Sequence, residues 1–105
     1  MHYQKLTGLI SICRKAGKMA MGFDPMREAL DGGKAHGILT AQDISPKTYK
    51  EICFHCQKKQ IPVCTLPLTQ EQIGLAAGRR AAVIAILDKG FFDSIQKLCD
   101  AAQQQ

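Results

Sequence analysis

Apolar residues along this chain follow a helical period in some stretches and short continuous runs in others, and the two kinds alternate. Leu6, Leu9, Ile10 and Cys13 fall at i, i+3, i+4 and i+7, one stripe of a helix. That helix is expected from about Tyr3 to Ala16, stopped by Gly17 as a left-handed cap. Lys18 to Gly22 reads as a short strand. Asp24-Pro25 then looks like a helix start, with Asp24 as the N-cap and Pro25 at the first helical position. Met26, Ala29 and Leu30 would form its buried face, and Gly32-Gly33 its end.

Gly37 to Ala41 predicts a second strand, followed by a turn through Gln42, Asp43 and Ile44. Ser45-Pro46 repeats the start signal, and Tyr49, Ile52, Cys53 and Cys56 repeat the stripe, so a third helix is expected over Pro46 to Lys59. Ile61 to Leu66 is the third strand, its proline tolerable near the strand's start. Thr69 and Gln72 fit a capping box, opening a short helix that buries Ile73, Ala76 and Ala77. The seven consecutive apolar residues Ala81 to Leu87 suit a strand buried on both faces. Asp88-Lys-Gly90 opens a last helix with Phe91, Ile95, Leu98, Cys99 and Ala102 on one side, and Gln103 to Gln105 should fray.

The resulting order, α-β-α-β-α-β-α-β-α with short links, predicts an α/β fold: a three-layer α/β/α sandwich in one domain spanning residues 1–105. Alternation favours parallel pairing, but Gly17 is too short a link to fix the pairing of the first strand. A mixed four-stranded sheet is therefore expected.

Charge changes the picture more than composition does. An apolar fraction of 46% is ordinary for a globular chain. Fourteen Lys and Arg against nine Asp and Glu give a net charge of +5, which favours polyanionic partners. No apolar run approaches the ~20 residues of a membrane span, and the start, Met-His-Tyr-Gln-Lys, is polar, so a cytoplasmic protein is expected. Five cysteines at spacings of no disulfide scaffold are expected to stay reduced.

Cys53-Phe-His-Cys56 invites a metal reading. Structural zinc needs four tetrahedral ligands, yet Cys53 and Cys56 share a stripe with Tyr49 and Ile52, His55 points elsewhere, and no second paired cluster follows. Core packing and a metal or redox site both stand at this point, with packing preferred. No nucleophile elbow, phosphate-loop lysine or dinucleotide spacing occurs. No catalytic residue, metal, cofactor or small-molecule substrate is expected.

Gly78-Arg79-Arg80-Ala81 is the stretch with chemistry. Two arginines sit at the mouth of a rigid core strand beside a glycine that admits close approach. Arginine both pairs with phosphate and stacks on bases; a solvated turn is the plainer alternative. Arg14, Lys15 and Lys18 likewise suit either phosphate contact or a helix C-terminal dipole.

Gly22-Phe-Asp-Pro-Met-Arg-Glu-Ala-Leu-Asp-Gly-Gly33 together with Ile73-Gly-Leu-Ala-Ala-Gly-Arg-Arg-Ala-Ala-Val-Ile-Ala-Ile86 resembles the two RNA-facing segments of the L7Ae-type ribosomal protein family, the kink-turn binders. Ala41 to Pro46 looks like that family's turn after its second strand. Arg14-Lys-Ala-Gly-Lys18 and Asp88-Lys-Gly-Phe91 are most similar to bacterial YlxQ-type members. The resemblance covers about residues 4 to 99 and implies the same sandwich fold. It also implies an RNA surface made from the start of the second helix and the loop after the fourth.

Transferred to this chain, that surface comprises Gly22, Phe23, Asp24, Arg27, Glu28, Gly78, Arg79, Arg80 and Ala81, with Lys18, Lys34 and Ser45 as rim contacts. Family binders start the second helix Gly-x-Asn-Glu-x-x-Lys; here Asp24, Pro25 and Glu28 replace the amide, carboxylate and lysine. Asp24 retains an acceptor for a guanine amino edge, whereas Glu28 reverses a charge that Arg27 would have to offset. The resemblance thus implies a non-catalytic partner of structured RNA, ribosomal or another kink-turn species, and of the ribosome. A protein-interaction module of the same fold that has lost kink-turn specificity is the alternative.

Overall fold

The computed structural model describes residues 2–103. In chain order the elements are α1 His2–Lys15, β1 Met19–Met21, α2 Phe23–Asp31, β2 Gly37–Thr40, α3 Pro46–Lys59, β3 Val63–Thr65, α4 Gln70–Ala77, β4 Val83–Ile86 and α5 Lys89–Gln103. All nine expected elements are present. The strands are shorter than their apolar runs, because the run ends serve as caps and turns. Helix α5 reaches Gln103; Gln104 and Gln105, expected to fray, lie outside the described residues, as does the side chain of Ala102.

The sheet order is β1-β4-β2-β3. β2 and β3 are parallel, joined by the α3 crossover, while β4 runs antiparallel to both of its neighbours. The last strand therefore enters the middle of the sheet. Its four residues are all buried, as its run of apolar side chains predicts. Ile84 and Ile86 face a core shared with α1, α4 and α5, and Val83 and Ala85 face one shared with α2 and α3. The architecture is the three-layer α/β/α sandwich with a mixed four-stranded sheet.

Helix ends follow local chemistry. Gly17 is left-handed, at φ 71, and Lys18 N–H donates to the Cys13 carbonyl at 3.1 Å while Gly17 N–H donates to that of Arg14, a Schellman closure. Thr69 and Gln72 form the full capping box. The Asp88 carboxylate accepts from Phe91 N–H at 2.9 Å at the head of α5. One expectation fails: Asp24 is not the cap of α2. The cap is Gly22, at φ 103, with no side-chain cap bond, and the helix starts at Phe23. Gly22 N–H is drawn to the Val83 carbonyl at 2.9 Å and its own carbonyl accepts from Met26 at 3.0 Å, so the turn is closed by backbone two residues earlier. Pro25 then falls in the first turn, where amides lack intrahelical partners anyway.

Phe92, absent from the expected α5 stripe, is buried and lies over Gly37, where a Cβ would collide with its ring. By contrast, a Cβ added to Gly8 in mid-α1 would have nothing within 4 Å, so packing does not require a residue that costs the helix about 1 kcal/mol against Ala.

Four of the five thiols are packed into the core. All five cysteines are free, and only Cys53 is more than slightly exposed. Among the described residues no group of three or more His, Cys, Asp or Glu side chains could hold a metal ion. No described helix is long and apolar enough to cross a membrane. Burial pushes the Cys56 thiol up to about 11, with Cys53 adding to the effect. Cys13 rises to about 11 through burial and, secondarily, Asp88.

Gly37→Ala is expected to destabilise the fold by about 1–3 kcal/mol in denaturant unfolding, and Phe92→Leu in the same chain should recover part of that loss. No recovery would mean the ring contact is not the cause. Folded Cys13 and Cys56 hold their protons up to about pH 11, whereas unfolded thiols give them up from about 9. The native state binds more protons in that window, so stability should decline as pH rises from 9 to 11. At pH 7.5, iodoacetamide followed by mass spectrometry should mark Cys53 while sparing Cys13, Cys56 and Cys99; equal labelling of Cys56 would contradict its burial.

Candidate nucleic-acid interface

The loop that carries the two arginines is built by two glycines with different jobs. Gly78 ends α4 in the left-handed region, φ 81, where a side chain would strain the backbone; its N–H donates to the Gly74 carbonyl at 2.8 Å. The chain then folds back across α4, and a Cβ on Gly74 would stand 3.0 Å from Arg80 Cγ and 3.4 Å from its amide nitrogen. Gly74 therefore supplies space, so that Arg80 can lie against the helix. The sequence reading held Gly74 within the segment that resembles the family's but gave it no role of its own; its spacing of four from Gly78 on one helix face was the available signal.

Three segments meet at this edge of the sheet. Gly22 N–H bonds to Val83, and Ala41 N–H bonds to the Ala82 carbonyl at 2.9 Å. The end of β1, the end of β2 and the start of β4 are thereby joined by backbone. The turn after β2 leads to Ser45, and Asp43 in that turn accepts from Gln70 N–H at 3.0 Å, tying it to the head of α4. Gly22, Ala41 and Ala82 thus meet at one end of the sheet; Asp24 and Ser45 follow the first two in the chain, and Gly78 to Ala81 lead into the third. Arg79, Arg80 and Asp24 are exposed and Ala81 is buried. Ala81 can offer a ligand little more than its backbone.

No ion pair among the described residues involves Arg79 or Arg80; the two observed are Arg27–Asp31 and Lys89–Asp93. Two exposed cationic side chains thus precede the strand whose first residue, Val83, is bonded to Gly22 at the head of α2. Cations and a helix head both favour an anion.

The remaining expected contacts lie elsewhere. The Lys18 carbonyl accepts from Leu87 N–H at 2.8 Å, at the far end of β4, roughly 13 Å of strand from Gly22. Lys34 precedes β2 at that same far edge, where His36 N–H bonds to Ile86. Lys18 is therefore remote from the arginine loop, whereas the Lys34 side chain lines a depression with Pro25 and Glu28 of α2. Phe23 turns towards α3, its ring 6.4 Å from that of His55 at 68°. Arg27 sits one turn further on: Nη1 donates to His55 Nε2 at 3.3 Å, because a guanidinium can only donate. Its Nε lies 3.4 Å from Asp31 Oδ2, near enough to pair but not aligned for a hydrogen bond. Arg27 is therefore engaged away from the edge and does not offset Glu28, which is exposed beside a shallow depression lined by Ala20, Pro25 and Lys34. Ser45 lies on the edge but has a structural task, accepting from Thr48 N–H at 3.2 Å as the cap of α3.

Comparison with known proteins bears on the fold and the family. Residues 4–96 match the model of the ribosomal protein L7Ae/L30e/S12e/Gadd45 family. The large ribosomal subunit protein eL30 of Aeropyrum pernix is 31% identical over 78 residues, covering 72% of this chain and 78% of that one. A protein of unknown function from Bacillus halodurans superposes with a TM-score of 0.85 at 25% identity, over 91% of this chain and 97% of that one. The Giardia lamblia 15.5kD RNA binding protein shares the fold, with a TM-score of 0.74 at 15% identity, over 98% of this chain and 88% of that one. The chain belongs to the L7Ae/L30e/S12e/Gadd45 family of ribosomal proteins.

Proposed function

We propose that this chain, acting over residues 1–105 as one domain, is a non-catalytic RNA-binding protein of the cytoplasm, associated with the ribosome and reading structured, kink-turn-like RNA. The observation that carries the reading is the edge itself. Arg79 and Arg80, without an acidic partner among the described residues, are tied through Val83 to the amide-bearing start of α2. The family and the eL30 relative supply the RNA and the ribosome as partners.

In this reading Arg79 and Arg80 hold phosphate or stack on an unpaired base, and the backbone at Gly78 and Ala81 lets that base approach. Distorted RNA exposes base edges that regular A-form helices hide, which suits a rigid, narrow edge. Asp24 accepts from a guanine amino group. Gly22 and Phe23 contribute their backbone, and Ser45 flanks the site. Glu28 opposes phosphate one turn along α2, so RNA should pass on the Arg79 side of the helix start.

Affinity for a kink-turn RNA should fall with salt, each phosphate contact adding roughly 0.7–0.9 to the log–log slope. Arg79→Ala with Arg80→Ala should weaken binding at least tenfold, about 1.4 kcal/mol, and flatten that slope by roughly 1.5. Lys58→Ala with Lys59→Ala, on the end of α3, should change affinity far less. Equal losses from the two pairs would remove the edge as the binding face. An unkinked duplex bound as tightly as the kink-turn would instead remove specific recognition and favour the protein-interaction module.

A further inference from the structure

A groove of about 420 Å³ runs between α1 and α4, beside the arginine loop rather than within it. Its floor is Gly8 and Ala76, and Gln4, Ser11 and Gln72 stand around it, with Leu75 at the lip. Two features of this groove are unexplained by folding. Gly8 is a mid-helix glycine that packing does not require, since a Cβ there would meet nothing within 4 Å. Leu75, which lines the same groove, is 84% exposed, the most exposed large apolar side chain described. Together they keep a cleft open and apolar on a helix whose next turn is Gly78-Arg79-Arg80.

We propose that this groove takes one unpaired, single-stranded nucleotide flanking the structured RNA held at the arginine loop; the inference rests on the RNA-binding reading above. Its lining carries no charge, which fits a base rather than a phosphate. The apolar floor and Leu75 accept a flat face. Gln72 has its carbonyl oxygen committed to Thr69 N–H at 2.8 Å, leaving amide hydrogens to donate to a base acceptor. Gln4 brings an amide that has no side-chain hydrogen bond among the described residues, and Ser11 adds a hydroxyl. Lys15 lies on the same stripe of α1 as Ser11, four residues on, and Lys5 lies beside Gln4; both are exposed and suit the flanking phosphates. Glu71 is the acidic neighbour on α4, and it lies outside the lining. A peptide partner would use the same apolar lip but has no need of the cations.

The test compares a blunt-ended kink-turn RNA with one carrying four-uridine single-stranded flanks, titrated against the wild-type chain and Gly8→Leu. A Cβ at this position meets nothing within 4 Å and leucine is a better helix former than glycine, so the substitution is expected to occupy the groove with melting temperature equal or higher. The flanks should raise wild-type affinity about five- to tenfold, and Gly8→Leu should abolish that gain while binding the blunt RNA as before. In 4-thiouridine flanks, photo-crosslinks should map to the peptide containing Gln72 and Leu75. Flanks that add nothing, a gain that survives Gly8→Leu, or equal weakening of both RNAs would each overturn the groove. A wild-type chain that fails to bind even the blunt RNA would overturn the RNA reading first and this inference with it. A peptide-binding groove would show itself as RNA affinities indifferent to Gly8→Leu, which also refutes the proposal.

Discussion

Everything at the functional edge depends on how β4 is admitted to the sheet. It arrives last and inserts between β1 and β2, antiparallel to both. A strand with two neighbours must have every backbone amide and carbonyl paired, since an unpaired buried one costs as much as a lost hydrogen bond. Val83 and Ala82 meet that demand by bonding to Gly22 and Ala41. Those two bonds also set the geometry of the proposed binding edge, because they pull the ends of β1 and β2 to the start of β4. The arginines need no network of their own to be positioned; they precede a strand that cannot move without unpairing the middle of the sheet.

The antiparallel entry also explains why α4 is short. β2 to β3 is a parallel step and requires a full crossover helix, supplied by the 14 residues of α3. β3 to β4 needs only to turn along the edge, and eight residues of α4 suffice. The helix is thereby left lying across the ends of the strands, where its C-terminal glycine can deliver Arg79 and Arg80 to solvent. A right-handed crossover there would have carried the loop to the opposite end of the sheet.

Much of the fold was legible because helix and strand periods are local. The stripe Leu6, Ile10, Cys13 is buried, the Ser45-Pro46 start and the Thr69 capping box are in place, and the apolar run before Leu87 is the central strand. The cap of α2 was misread because Asp24-Pro25 is the stronger local signal. The bond that moved the cap to Gly22 comes from Val83, sixty-one residues away in sequence. Phe92 was missed for a similar reason: its partner is a bare glycine on β2, and an absent side chain leaves no pattern. Strand order itself is non-local, so Lys18, though near Gly22 in sequence, falls at the other end of the strands.

The two glycines of α4 show how far a motif can be taken apart into physical demands. Gly78 is required by its dihedral angles and would be strained by any side chain. Gly74 is helical and is required only by the 3.0 Å approach of a flexible arginine carbon. A methyl at Gly78 therefore opposes the turn, whereas a methyl at Gly74 leaves the turn intact and lifts Arg80 off the helix. The first change acts on where the strand begins, the second on where a single guanidinium points. A spacing of four residues thus encodes two separable properties, the route of the chain and the aim of a charge, and only the second bears on the proposed recognition.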